Sequence, residues 1–156
     1  MDRQFNADCI ELHNKLRALH DCPPLKLDIH LAEIAQAHAE KMGRSQSLSC
    51  VSPRHEFGEN ICMHTGAPGL SAKQVILQWY GEISDFKFGE EKQAKAENFS
   101  QIIWKATTRA GFGRSVSRSG CAMFVVGLYL EPGNQVGQYV ENVPPPLDGR
   151  LLVPKW

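Results

Sequence analysis

Apolar residues in the first half of the chain recur at steps of three and four, the spacing that gathers side chains on one face of a helix. Cys9, Leu12, Leu16 and Leu19 define a first such face. That helix must stop before Pro23-Pro24, because proline brings no N–H and clashes with the preceding turn. Asp28 is the N-cap of a second, which runs through Leu31, Ile34, Ala35, His38, Ala39 and Met42 and ends near Gly43. Ser71-Ala72-Lys73-Gln74 carries a capping-box pattern, in which a serine hydroxyl and a glutamine amide serve each other's backbone N–H groups. The third helix follows it with Val75, Ile76, Trp79, Tyr80 and Ile83 on its apolar face. A short fourth helix is predicted over Phe99 to Trp104.

The second half changes character. Ala110 to Val116 and Ala122 to Leu130 read as strands joined by the turn-rich Ser117-Arg118-Ser119-Gly120. Glu131-Pro132-Gly133-Asn134 is a further turn, Gln138 to Val143 reads as a final strand, and Gly58 to Cys62 adds an early one. Helices around a small antiparallel sheet give an α+β fold, an α-β-α sandwich of about four helices. Residues 1–146 form one domain, and Pro144-Pro145-Pro146 lead into an extended tail, 147–156, expected to pack weakly.

Composition narrows the function without naming it. The 156 residues suffice for one domain with a real core, and 17 basic against 17 acidic side chains leave no formal net charge. No basic run is interleaved with aromatics, so nucleic acid is not an expected partner. The longest apolar stretch, Cys121 to Leu130, is too short to span a bilayer. The polar start, Met1 to Ile10, shows no secretory h-region, and Asp2 stands where N-myristoylation needs glycine. Read as a complete chain, it is expected to remain in the cytosol. The five cysteines, Cys9, Cys22, Cys50, Cys62 and Cys121, form an odd scattered set without a Cys-x-x-Cys pair, which suits a reducing compartment and free thiols.

Candidate chemistry rests on carboxylates and imidazoles able to meet in one cleft. Glu59 follows Gly58 at a strand start, and Glu82 lies three residues after Trp79, so it borders the apolar side of the third helix. Gly111-Phe112-Gly113 lacks the third glycine of a phosphate loop and is expected to permit tight strand packing. His13 and His38 sit on or beside apolar faces and read as hydrogen-bonded core histidines, and Trp79 and Trp104 as core anchors. Ser100 is expected to cap a helix. Lys105, Arg109, Arg114 and Arg118 form a modest basic cluster by the strands, able to touch anionic lipid headgroups at about 1 kcal/mol per charge.

Phe99-Ser100-Gln101-Ile102-Ile103-Trp104-Lys105 resembles the signature of the CAP superfamily (cysteine-rich secretory proteins, antigen 5, pathogenesis-related 1). His13-Asn14 with Arg17, Pro23 to Leu27, Gly58-Glu59-Asn60-Ile61, and Trp79-Tyr80-Gly81-Glu82-Ile83 resemble further family segments in the same order. Phe124-Val125-Val126, Pro132-Gly133-Asn134 and Glu141 to Pro145 are most similar to its Golgi-associated plant pathogenesis-related branch. The resemblance implies an α-β-α sandwich with a shallow cleft where two histidines join Glu59 and Glu82 around a divalent metal such as zinc. Here Asn98 stands at one histidine position, and Cys50 falls nearest the other, with His55 close by. Cys50, His55, Glu59, Glu82 and Asn98 are therefore the cleft residues to locate. Glu59 and Glu82 are the two metal candidates, although their expected role without the histidines is to hydrogen-bond Asn98 and nearby backbone.

The resulting expectation is a non-enzymatic intracellular CAP domain that acts by binding, with no required cofactor and zinc as the one the resemblance allows. Its expected partners are an anionic lipid or endomembrane surface, a second copy of itself, or a regulatory protein, at the Golgi or another endomembrane. The alternatives are a divalent-metal-dependent hydrolase built on the residual glutamate and cysteine cleft, and an extracellular defence-type protein.

Overall fold

In the computed structural model, which describes residues 1–51, 56–66, 69 and 71–156, a four-stranded sheet lies between two helical layers. The elements in chain order are α1 (Arg3–Leu19), β1 (Lys26–Leu27), α2 (Ile29–Ser45), β2 (Gly58–Thr65), α3 (Ala72–Tyr80), a 3₁₀ turn (Gly81–Asp85), α4 (Glu97–Ile103), β3 (Arg109–Val116), β4 (Ala122–Leu130) and α5 (Tyr139–Asn142). Strand order is β1-β3-β4-β2. The β2–β4 and β3–β4 pairs are antiparallel, whereas the two residues of β1 run parallel to Arg109 and Ala110 of β3. The sheet is thus mixed rather than purely antiparallel.

Local signals place the helices. Asp28 accepts from the Leu31 N–H at the start of α2, and Asp2 accepts from the Phe5 N–H at the start of α1. Ser71 and Gln74 complete the capping box on α3. Residues 138–143 do not form the expected strand. The Glu91 carboxylate accepts from the N–H groups of Tyr139 and Val140, 2.9 and 3.1 Å away, and so caps the short helix α5. An acceptor 48 residues upstream cannot be read from the local pattern.

Strand β4 is apolar on both sides because helices cover both faces of the sheet. Phe124, Val126 and Leu128 pack with Leu31, Ala35, Ala39 and Met42 of α2. Val125 and Tyr129 point the other way, into the larger core with Leu16, Trp79, Tyr80, Phe99 and Trp104 of α1, α3 and α4. Gly111 and Gly113 do allow the close approach expected of them: a Cβ on Gly111 would lie 2.2 Å from the Ala32 nitrogen, and one on Gly113 2.4 Å from the Gln36 Cα. Helix α2 rests directly on the backbone of β3.

Strand β3 continues past β1, and two side chains pair its open edge. The Asn6 amide donates to the Phe112 carbonyl and accepts from its N–H, at 2.9 and 2.8 Å. Gln36 does the same for Arg114, at 2.9 and 3.1 Å. Amide side chains thereby replace a missing neighbour strand and close an edge that would otherwise invite another chain.

Two histidines are buried in the larger core. The Cys9 carbonyl can only accept, so His13 Nδ1 carries the proton at 2.8 Å and His13 Nε2 accepts from the Tyr129 hydroxyl, also at 2.8 Å. By the same logic His20 Nδ1 donates to the Pro144 carbonyl, and its Nε2 accepts from the Tyr80 hydroxyl. Burial lowers both pKa values, that of His13 to about 3. The unfolded chain would bind these protons near pH 6.5 while the native one would not, so their contribution is full above 6.5 and declines as pH falls toward 3. His13 alone should remove about 1.4 kcal/mol per pH unit in that window, and His20 acts in the same sense. Urea titrations at pH 7.5 and 4.5 should differ by more than about 2 kcal/mol. Equal stabilities would contradict two neutral buried imidazoles.

The chain stays on the domain up to the start of the tail. The Leu147 N–H donates to the Leu19 carbonyl, and Val143 and the His20-bound Pro144 carbonyl belong to the packed structure. Beyond that point the side chains of Leu151 and Leu152 are exposed.

Candidate functional site

Helix α4 begins without a cap of its own. Ala96, its N-cap residue, has a positive φ of 76° and no side-chain acceptor to offer the first N–H groups. Glu82 supplies that acceptor from the 3₁₀ turn that continues α3. Its Oε1 accepts from the N–H groups of Asn98 and Phe99 at 2.9 and 3.1 Å, and its Oε2 accepts from Asn98 Nδ2 at 2.9 Å. Negative charge at a helix N-terminus is favoured by both the unpaired N–H groups and the dipole. Glu82 and Asn98 therefore meet, as the sequence suggested, and they meet as a cap.

This arrangement does not fit a metal. A divalent ion needs lone pairs converging on one point. Both oxygens of Glu82 already face N–H donors, and Asn98 turns its donor end toward the carboxylate. Among the described residues no group of three His, Cys, Asp or Glu side chains is placed to hold an ion. Cys50 is exposed on the loop after α2, and all five cysteines are free. His55 lies outside the described residues.

Glu59 lies on the wall of a cavity of about 400 Å³ shared with Phe57, Glu97, Gln101 and Asn134. The floor of that cavity is built on Gln101. Its Oε1 accepts from the Gly133 N–H at 2.9 Å, and its Nε2 donates to Thr107 Oγ1 at 3.1 Å. A Cβ at Gly58 would fall 2.0 Å from Gln101 Oε1, so this glycine is required for the close approach. Ser100 lies inside α4 rather than at its cap. Its hydroxyl bonds the carbonyls of Ala96 and Glu97 and the Asn134 side chain, and none of these partners is a base able to activate it as a nucleophile.

A buried relay ties the cleft to the core, and the sequence motif alone did not reveal it. Asn60 Nδ2 donates to the Asn98 carbonyl at 3.0 Å and to the Tyr129 hydroxyl at 3.3 Å, and that hydroxyl donates on to His13. The recoverable signal was a set of polar residues, His13, Arg17 and Asn60, at positions otherwise reserved for core. The arrangement holds α4, β2, β4 and α1 in fixed register, and it offers neither nucleophile nor activated base.

Replacing Glu82 by glutamine should destabilise the fold by about 1–2 kcal/mol, because a neutral amide caps less strongly and its NH₂ would face that of Asn98. Denaturant titration measures the loss, and the amide resonances of Asn98 and Phe99 should shift with it. Unchanged stability with unmoved resonances would remove the capping role.

Comparison with known proteins agrees with this architecture. Residues 10–129 match the profile of the CAP, or cysteine-rich secretory protein, family. The Golgi-associated plant pathogenesis-related protein 1 of Homo sapiens is 33% identical over 149 residues, covering 92% of this chain and 95% of that protein. Among solved structures, BmVAL-1 superposes with a TM-score of 0.73 at 18% identity, over 87% of this chain and 81% of the other. The crystal structure of NaASP2 with Zn²⁺ superposes with a TM-score of 0.67 at 21% identity, over 84% and 81%. These two likenesses are of fold. Taken with the sandwich and its Glu82–Asn98 cap, the match over residues 10–129 means that the chain belongs to the CAP family.

Proposed function

We propose that this protein acts by binding rather than by catalysis, as an intracellular CAP domain peripheral to the Golgi or another endomembrane. The observation that carries the reading is the use of Glu82: the carboxylate best placed for cleft chemistry holds the start of α4 instead. The similarity to a protein named as Golgi-associated supports the location. No helix among the described residues is long and apolar enough to cross a membrane. Anionic lipid is the proposed surface, with self-association or a regulatory protein as further partners, and neither zinc nor another cofactor is required.

The basic cluster near the strands contributes less to that surface than its count suggests. Arg109 is paired with Asp28 at 2.9 Å and Arg114 with Asp2 at 3.1 Å. The electrostatic attraction should therefore be modest and easily screened. In flotation of the full chain at low salt, vesicles carrying phosphoinositides should retain it, neutral vesicles should retain less, and added salt should release it. Absence from every vesicle at low salt would sink the membrane part, and zinc retained through purification would reopen the metal reading.

A further inference from the structure

We infer that the C-terminal segment 147–156 is the apolar contact by which this protein seats on an anionic bilayer, an inference that rests on the membrane reading above. Large hydrophobic side chains are exposed singly over most of the surface, as is ordinary for a folded protein. In this one segment they are concentrated: Leu147, Leu151, Leu152, Val153 and Trp156 are all exposed, Leu152 by 74%. The segment forms neither helix nor strand. The Leu147 N–H donates to the Leu19 carbonyl, and after it the segment's backbone makes a local turn, from the Gly149 N–H to the Pro146 carbonyl. Past it the segment forms one wall of a cavity of about 570 Å³ whose other side is Leu19 and Tyr80. The side chains stay exposed even where they rest near the fold, as Val153 does beside Gly81.

The charges around them select the occupant. Arg150 and Lys155 bracket Leu151-Leu152-Val153-Pro154, and Lys15 of α1 holds its ammonium 5.8 Å over the Trp156 ring. Acidic groups are present too, Asp148 in the segment and Glu11, which lies 3.5 Å from Lys15. Leucines beside a tryptophan and a rim of lysine and arginine are matched to the bilayer interface, where rings sit at headgroup depth and cations meet lipid phosphates. A second copy is a poorer match. A two-fold contact would bring the Arg150 and Lys155 rim against its own copy, and ten residues fall short of the roughly 800 Å² per partner that a stable dimer buries.

Trp156 reports on this directly, because Trp79 and Trp104 are buried and shielded from lipid. The full chain is titrated with phosphatidylcholine vesicles containing phosphatidylserine, with brominated lipid as quencher. The wild type should bind with a blue shift and quenching of Trp156. The Leu152→Ser, Leu151→Ser double variant keeps both the charge and Trp156, changes two exposed positions, and should bind at least about tenfold more weakly. Equal binding of the double variant, without lipid quenching of Trp156 in the wild type, would overturn the inference and leave membrane association standing by another surface. No binding of the wild type to any vesicle would overturn both. A change in mass by light scattering, with vesicle binding unaltered, would make the segment an interface between copies and overturn the lipid occupant.

Discussion

Replacing Arg17 by methionine is expected to destabilise the fold by roughly 3–5 kcal/mol, and by more than any exposed charge on the molecule could. Arg17 is fully buried in α1. Its Nε donates to the Pro23 carbonyl at 2.6 Å, one terminal nitrogen donates to Ile102 and Trp104 at 2.9 and 2.8 Å, and the other to Thr107 at 3.0 Å. Two of these acceptors belong to the C-terminal end of α4, where unpaired carbonyls carry the negative end of the helix dipole. Burial lowers its pKa to about 10, which leaves the guanidinium charged at neutral pH. One planar group thus ties α1, the Pro23 turn, the end of α4 and the start of β3 together. Methionine fills much of the volume but leaves the buried Ile102 and Thr107 carbonyls without their donor and the Trp104 carbonyl with only the Thr107 N–H, each orphaned acceptor carrying a desolvation penalty of about 1–3 kcal/mol that partial relaxation reduces. Lysine is a single point donor and should recover only part of the loss. Urea titration of the two variants checks this, and a loss below about 1 kcal/mol for methionine would mean the carbonyls find other partners.

What the sequence disclosed and what it withheld follow a physical boundary. Features whose partners lie within one turn were readable: Asp28 caps the helix it precedes, and Ser71 meets Gln74 three residues away. Gly111 and Gly113 could be read as a close approach because a missing Cβ implies a neighbour, though not that the neighbour is the backbone of α2. The fold was legible by the same route, through periodicity and the order of the family-like segments. Contacts closed by tertiary structure were not. Glu91 turns residues 139–142 into a helix from a distant loop, and Asn6 and Gln36 complete the edge of β3 from two different helices. At the cleft, the identities of Glu82 and Asn98 were visible and so was their expected pairing. The Asn60, Tyr129 and His13 relay behind them was not, since three side chains from β2, β4 and α1 share no local pattern.

The glycine pair gives the second large effect, and it isolates packing from backbone strain. Gly113→Ala should destabilise by about 3 kcal/mol or more, although Gly113 does not adopt a left-handed conformation. The added methyl would stand 2.4 Å from both the Cα and the nitrogen of Gln36 and 2.5 Å from the Ala35 carbonyl carbon. These are main-chain atoms of a hydrogen-bonded helix, so no rotamer change can relieve the contact and α2 must move off the sheet. That displacement would draw the Gln36 amide from Arg114, reopening the edge of β3, and loosen Ala35, Ala39 and Met42 from Phe124 and Val126. Gly120→Ala is the matched control: its φ is +74°, yet nothing lies within 4 Å of the new methyl. It should cost only about 1–2 kcal/mol, the penalty of a left-handed residue with a side chain. Trimming Gln36 to alanine should not rescue Gly113→Ala, because the obstructing atoms are those every residue carries. If thermal and urea unfolding rank the two glycine variants in the opposite order, or if Gln36→Ala restores stability, then α2 does not rest on the bare backbone of β3.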